Sequence, residues 1–305
     1  MSTGSDFNFF LVHFLVGGMS GAIAKTFTAP IERVKLILQT QRANPLILSG
    51  EVPRYKGIMD CFRRIHAEQG LVSFWRGNFP NMMRYFPMQG FNLAFKDTIK
   101  NLFPRYSSRT DFKLFFLTNL AASGLAAGGS LAVVFPLDYA RTRLASDVGP
   151  GKQTFSGVWD CWMKTVRGPS RFFGLYHGFG VSLIGILPGR GVAVGLYDSL
   201  LVFNPYRKDR TPIGVLSKFS LAQICALLAG YTAYPFDTIR RRLQMQSELP
   251  KEQWIYKGTV DCLLSITKKE GVRGLFSGAG ANALRTVGSA LVLVLYGEFK
   301  EALGT

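Results

Sequence analysis

Three cations lie within long apolar stretches of the sequence: Lys25, Arg84 and Arg285. Charges inside a membrane-spanning helix are costly, so they normally face the interior of a helix bundle and mark the path of a solute. Guanidinium groups are always charged, and their planar donors match phosphate oxygens. These side chains therefore predict a central binding site for a polyanionic solute, to which Arg190 could add a fourth cation.

A second set of charges follows a repeated pattern of proline, any residue, acid, two residues and base. It occurs at residues 30–35, 136–141 and 235–240. If the copies pack with threefold pseudosymmetry, each acid can meet a base from the next copy and close a ring. Partly solvated ion pairs are individually weak, so the ring suits a gate better than the alternative, a permanent clamp. The predicted gate residues are Glu32, Lys35, Asp138, Arg141, Asp237 and Arg240.

Two further patterns recur in the same order, so the chain consists of three tandem copies. One is YKGIMDC, FSGVWDC and YKGTVDC, and the other is GLVSFWRG, RFFGLYHG and GVRGLFSG. Cys61, Cys161 and Cys262 hold the same place in each copy, which favours shared ancestry over a metal site. A single domain, 1–305, is predicted, with repeats at 7–104, 111–204 and 212–303.

Each copy contains two long apolar stretches around a polar middle. Every stretch exceeds the roughly 20 residues needed to cross a bilayer, so an all-α membrane protein with six transmembrane helices is predicted. The first helix of each copy contains the motif proline and should be kinked there. The polar middles are expected to form short amphipathic surface helices. The stretches are 7–38, 79–102, 112–144, 181–203, 213–243 and 279–303.

The cations break the symmetry of the repeats. Arg84 and Arg285 hold equivalent places, but the second copy has Gly185 there. Lys25 corresponds to the uncharged Leu131 and Gly230. A scaffold would require the same charge in all three copies, so the cations are expected to serve a ligand.

The overall composition agrees with a membrane protein that faces an anion. Lys and Arg number 36 against 19 Asp and Glu, a formal charge of +17, yet 48% of the residues are hydrophobic. This excludes a disordered basic tail and disfavours a soluble nucleic-acid binder. The four cysteines form no close pair, so neither a disulfide framework nor a metal site is expected. The three histidines are scattered without a nucleophile–base arrangement, so an enzyme is the least expected class.

The threefold proline–acid–base pattern resembles the mitochondrial carrier family over essentially the whole chain. Residues 25–41, 76–97, 135–149 and 291–300 are similar to one of its branches, the ADP/ATP carriers. The resemblance implies a threefold pseudosymmetric barrel of six transmembrane helices, with three short amphipathic helices on the matrix side. It further implies a monomeric secondary transporter in the mitochondrial inner membrane, without cofactor and with cardiolipin as structural lipid. It would exchange cytosolic ADP for matrix ATP by alternating access.

Roles for individual residues also follow from this resemblance. Lys25, Arg84 and Arg285 match the phosphate-contacting cations, and Gly185 and Ile186 match part of the adenine pocket. Further cavity residues are Asn92 and Arg241, and the residues that brace a matrix-side ion pair are Gln39 and Gln244. Glycines at helix N-termini, where free backbone N–H groups bind anions, match cardiolipin sites. They are Gly57, Gly77, Gly157, Gly178, Gly258 and Gly278.

Acids near the ends of the second helix of each copy match a cytoplasmic gate, but only the first copy keeps a base three residues later. The gate consists of Asp97, Lys100, Asp198 and Glu298. It should be weak, so the state open to the intermembrane space should predominate.

At three places this sequence departs from the ADP/ATP carrier branch, and these departures leave open whether the chain recognises a purine. Gly189 stands where a tyrosine is usual, and Ala233 replaces a serine of the same pocket. Residues 240–245 read RRRLQM where the branch has RRRMMM. A carrier for another nucleotide or a phosphorylated metabolite is therefore an alternative. A second alternative is a basic membrane protein that organises lipid or nucleic acid and transports nothing.

Overall fold

A computed structural model describes residues 3–84, 87, 104, 111–149, 153–206, 209 and 211–288, with side chains in the first helix described from residue 22. Asn92, Asp97, Lys100 and Glu298 lie outside the described residues, as do the side chains of Arg190 and Asp198. The helices, in chain order, are α1 (Thr3–Thr40), α2 (Pro45–Leu48), α3 (Ile58–Gln69), α4 (78–84), α5 (Phe112–Ala145), α6 (Val158–Arg167), α7 (Phe179–Phe203), α8 (Pro212–Met245), α9 (Thr259–Glu270) and α10 (279–288), where α4 and α10 are given as far as they are described.

The first long helix of each repeat, α1, α5 or α8, runs without interruption through its motif proline. Each is slightly longer than the apolar stretch in the sequence. Among the described residues, two helices are long and apolar enough to cross a membrane: Lys113–Ala145 and Ile213–Met245. Thr211 caps α8 by accepting a hydrogen bond from the Gly214 amide, and Pro212 suits the first helical turn.

The surface helices α3, α6 and α9 are amphipathic, as the polar middle of each repeat predicts. Cys61, Cys161 and Cys262 lie on their buried faces with no exposed surface. Burial raises the pKa of each of these thiols to about 12. The shared cysteine position is therefore a packing position against the long helices. A short 3-10 helix follows each surface helix, at Leu71–Trp75, Arg171–Tyr176 and Val272–Phe276.

Glycines just before α4, α7 and α10 let the chain pass close to the next long helix. Gly178 has a φ of +81°, and a Cβ built on it would lie 3.0 Å from the Arg240 carbonyl oxygen. Gly77 meets the Arg141 carbonyl and Gly278 the Lys35 carbonyl in the same way, each at 2.9 Å. Each glycine thus abuts the backbone of a motif base in the next repeat.

We expect Gly178→Ala to destabilise the protein by about 2 kcal/mol, because the new methyl group meets the α8 backbone in a left-handed conformation. Gly157→Ala is the matched control. Its φ of 175° is ordinary extended backbone, and a Cβ there would have nothing within 4 Å. Thermal unfolding of the purified variants measures the difference, and equal unfolding temperatures would contradict this account of the packing.

Candidate functional site

Three ion pairs link the long helices in a ring, two to five residues after the motif prolines. Lys35 Nζ lies 2.8 Å from Asp237 Oδ2, which joins α1 to α8. The arrangement is the one that the repeated motif predicts. The other two pairs are Arg141 of α5 with Glu32 of α1, and Arg240 of α8 with Asp138 of α5. We call these six residues the ion-pair ring and its carboxylates the ring acids.

Asp138, the ring acid of the second repeat, is the most deeply buried of the three. The Asp138 side chain has no exposed surface, whereas that of Asp237 is 24% exposed. Two further guanidinium groups reach Asp138: Arg84 Nη1 at 3.0 Å and Arg241 Nη1 at 2.8 Å. Because a buried carboxylate loses its hydration, several donors are needed to offset that cost.

Glu32, the ring acid of the first repeat, contacts two more of the cations predicted for the ligand site. Lys25 Nζ lies 3.5 Å from Glu32 Oε1, and Arg285 Nη1 lies 3.6 Å from the same oxygen. Asn81 Nδ2 donates to Glu32 Oε2 at 3.0 Å. The three cations predicted to serve a ligand, Lys25, Arg84 and Arg285, therefore all contact ring acids. We call them the cavity cations, although only Arg285 lines the cavity described below. The predicted ligand site and the ring therefore form one electrostatic network.

Arg241, which the resemblance matches to a cavity residue, lies inside this network and does not line the described cavity. Besides Asp138, it contacts Asp237 Oδ1 through Nε at 3.2 Å. Within the described part of the chain, seven cations consequently share the three ring acids, which leaves the network strongly positive. The cations are Lys25, Lys35, Arg84, Arg141, Arg240, Arg241 and Arg285.

Two glutamines lie beside the ring at the positions matched to braces. Gln39 Nε2 donates to Asp237 Oδ2 at 3.2 Å and to Thr238 Oγ1 at 3.0 Å. Gln244 Oε1 accepts a hydrogen bond from Arg241 Nη1 at 3.4 Å. Both glutamines therefore touch members of the network, one through a ring acid and the other through a cation that the ring acids share.

A cavity of about 280 Å³ opens beside the ring between α7, α8 and α10, and Gly185, Ile186 and Arg285 help to line it. A Cβ on Gly185 would lie 2.7 Å from Phe236 Cβ, so the absence of a side chain at Gly185 leaves space for the Phe236 side chain. Two of the departures from the carrier pattern face each other, since a Cβ on Gly189 would lie 3.2 Å from Ala233 Cβ. Small residues thus bring α7 and α8 close together here.

Three buried arginines, to which the sequence patterns assign no role, link the ends of the long helices, and we call them the arginine belt. Arg33 of α1 donates to the Asp147 carbonyl at 2.9 Å, just beyond α5. Arg143 of α5 donates to the Met245 carbonyl at 2.6 Å, at the end of α8. Arg242 of α8 donates to the Gln39 carbonyl at 3.4 Å. Cations here satisfy helix C-terminal carbonyls.

The side-chain partners of these arginines differ between repeats. Arg242 pairs with Glu270 at the end of α9, and Arg33 donates to Gln69 Oε1 at 2.5 Å, at the end of α3. Among the described residues, the end of α6 supplies no such partner, and Arg143 pairs instead with Glu248, beyond α8. The three consecutive arginines at residues 240–242 are a signal in the sequence that could have indicated Arg242. Arg33 gives no such signal, because it stands at a different position relative to its motif proline.

Three repeats of proline-containing helices, with a cationic cavity that rests on a ring of ion pairs, define a membrane solute carrier. The chain belongs to the mitochondrial carrier family: the family model described as "Mitochondrial carrier protein" matches residues 7–107, 112–205 and 211–305. Its fold is therefore the all-α carrier fold with six transmembrane helices, and its class is transporter rather than enzyme.

Named relatives match nearly the whole chain. The chain is 53% identical over 297 residues to the "ADP,ATP carrier protein" of Parachlorella kessleri, a match that spans 96% of this chain and 85% of that protein. It is 49% identical to "ADP/ATP translocase 4" of Mus musculus, over 95% of this chain and 89% of that one. It is 46% identical to "ADP/ATP translocase 3" of Bos taurus, over 96% and 98%.

We expect Asp138→Asn to destabilise the protein by about 3 kcal/mol or more, because three guanidinium groups lose one buried counter-charge. Asp237→Asn is the control, since its carboxylate is more exposed and should cost less. Thermal unfolding of both purified variants measures the difference. An Asp237 variant that unfolds at the lower temperature would show that burial does not rank the ring acids.

Proposed function

We propose that the protein is an antiporter that exchanges cytosolic ADP for matrix ATP across the mitochondrial inner membrane. The observation that carries this proposal is the contact of all three cavity cations with ring acids. Relatives that are 46–53% identical and are named ADP/ATP carriers or translocases support the choice of solute.

The shared cations suggest how a solute would open the ring. Phosphate oxygens entering the cavity compete with Glu32 for Lys25 and Arg285, and with Asp138 for Arg84. Each cation drawn to phosphate leaves a ring acid with less compensation for its burial. The ring then costs less to open, and the solute supplies the replacement contacts. Substrate binding and opening of the matrix gate are thereby linked in this proposal.

Charge balance follows from the two solutes. ATP carries one more negative charge than ADP, so the exchange moves net charge unless a proton or cation accompanies it. The membrane potential would then favour export of ATP. The strongly positive network is suited to holding either nucleotide.

Lipid binding and a monomeric state are part of the same proposal. Gly57, Gly157 and Gly258 precede α3, α6 and α9 in extended conformation, and a Cβ on any of them would meet nothing within 4 Å. The open N-termini suit cardiolipin phosphates as a structural lipid. A packing role already exists at the other three glycines, and a lipid role there would be additional to it; they are Gly77, Gly178 and Gly278.

A second candidate solute is another nucleotide or a phosphorylated metabolite. The observation that favours it is that Gly189 and Ala233, which lie side by side, supply neither the stacking ring nor the hydroxyl of the matched adenine pocket. Competition of radiolabelled ADP uptake by other nucleotides separates the two candidates. A basic membrane protein that organises lipid or nucleic acid and transports nothing would carry its basic residues mainly at the surface. It fits less well, because the cavity cations contact the buried acids Glu32 and Asp138.

We expect Arg84→Ala to reduce ADP uptake by proteoliposomes at least about tenfold, because a charge-assisted phosphate contact is lost. Arg64→Ala is the matched control: Arg64 forms a surface ion pair with Glu68 on α3 at 3.1 Å. Its uptake should stay near that of the unmodified protein. Equal uptake by all three proteins would contradict a solute role for Arg84, and no ADP uptake under any preload would refute the proposed exchange.

We also expect the state open to the intermembrane space to predominate in liposomes. Ile186→Cys places a thiol in the cavity, whereas the four native cysteines are buried. A membrane-impermeant thiol reagent should label this variant mainly from the intermembrane-space face, with the unmodified protein as the control. Labelling mainly from the matrix face would contradict the predicted weakness of the cytoplasmic gate.

A further inference from the structure

Each motif proline leaves one backbone carbonyl without its helical partner. Proline has no N–H, so the carbonyl four residues earlier cannot accept the usual hydrogen bond. An unpaired carbonyl inside a bilayer is costly, so a replacement donor would stabilise the helix. The affected carbonyls belong to Thr26, Ala132 and Tyr231, opposite Pro30, Pro136 and Pro235.

Two repeats supply that donor from the 3-10 helix that follows their surface helix. Trp75 Nε1 donates to the Thr26 carbonyl at 2.9 Å. Tyr176 donates through its hydroxyl to the Ala132 carbonyl at 3.2 Å. Trp75 and Tyr176 hold equivalent places in the repeats FWRG and LYHG. Each bond joins the long helix to the surface unit of its own repeat, across the proline.

The third repeat has an aromatic side chain at this place, but that side chain has no hydrogen-bond donor. Phe276 holds the equivalent place and stacks on Tyr234, with centroids 6.1 Å apart and planes at 8°. Tyr176 stacks on Phe135 in the same way, at 5.8 Å and 10°. Within the described part of the chain, no side-chain donor reaches the Tyr231 carbonyl. Phe276 therefore reproduces the position of Tyr176 without its hydroxyl.

We propose that Trp75 and Tyr176 are positioning residues that bridge the proline breaks of α1 and α5, and that the break in α8 lacks the equivalent bridge because Phe276 has no donor. The bridged helices carry Glu32 and Asp138, the ring acids that contact the cavity cations. Each bridge holds its carboxylate in place relative to the surface unit of the same repeat, whereas α8, without such a bridge, bends more freely at its proline during gating. This part of the inference rests on the proposed exchange.

Substitutions that remove, replace or add the hydrogen-bond donor at these aromatic positions test the inference. Tyr176→Phe removes the donor and should lower the unfolding temperature of the purified protein, and Tyr176→Trp, which restores an N–H donor, should recover it. Phe276→Tyr adds the missing donor and should raise the unfolding temperature. It should also slow maximal ADP exchange by up to about fivefold at unchanged KM, the factor that one net hydrogen bond represents. Phe173→Tyr, on an 82% exposed side chain, is the control.

The outcomes separate this inference from the proposed exchange. If the Phe and Trp variants of Tyr176 unfold at the same lowered temperature, ring packing rather than the donor is responsible and the inference fails. It fails equally if Phe276→Tyr behaves like Phe173→Tyr in both measurements. Absence of ADP exchange by the unmodified protein refutes the proposed exchange instead, and the unfolding temperatures then still test the bridges.

Discussion

Burial of a single carboxylate constrains how the three repeats meet. Asp138 has no exposed side-chain surface, so its charge requires compensation by groups that are themselves held in place. Arg84 comes from the first repeat, Asp138 from the second, and Arg240 and Arg241 from the third. One buried charge therefore fixes the relative positions of all three copies at this level of the bundle.

The network serves two requirements that oppose each other. In the proposed exchange, a closed ring must be stable when no solute is bound, yet it must open at modest cost when a solute arrives. Sharing Lys25 and Arg285 through Glu32 meets both requirements, because the same cations compensate the acid and are available to phosphate. The separations of 3.5 and 3.6 Å are longer than those of the tightest pairs in the ring, which suits contacts that are exchanged.

Periodicity and spacing predicted the long helices, the surface helices and the partners within the ion-pair ring, because these depend on repeated local patterns. They did not predict that Arg84 and Arg285 would contact ring acids, since the reach of a long side chain between helices leaves no trace in spacing. Nor did they indicate Arg33, which lies four residues earlier in its motif than Arg242 does and yet serves the same belt. Glycines matched to lipid sites proved to divide into open and tightly packed groups, which only three-dimensional distances could reveal.

The buried arginine belt has a consequence for biosynthesis. Arg33 is satisfied by the end of the second repeat's first helix, Arg143 by that of the third, and Arg242 by that of the first. A chain emerging from the ribosome cannot complete this belt until its last proline-containing helix has been made. A fragment of one or two repeats would lack at least one of these acceptors, so the complete belt requires all three repeats.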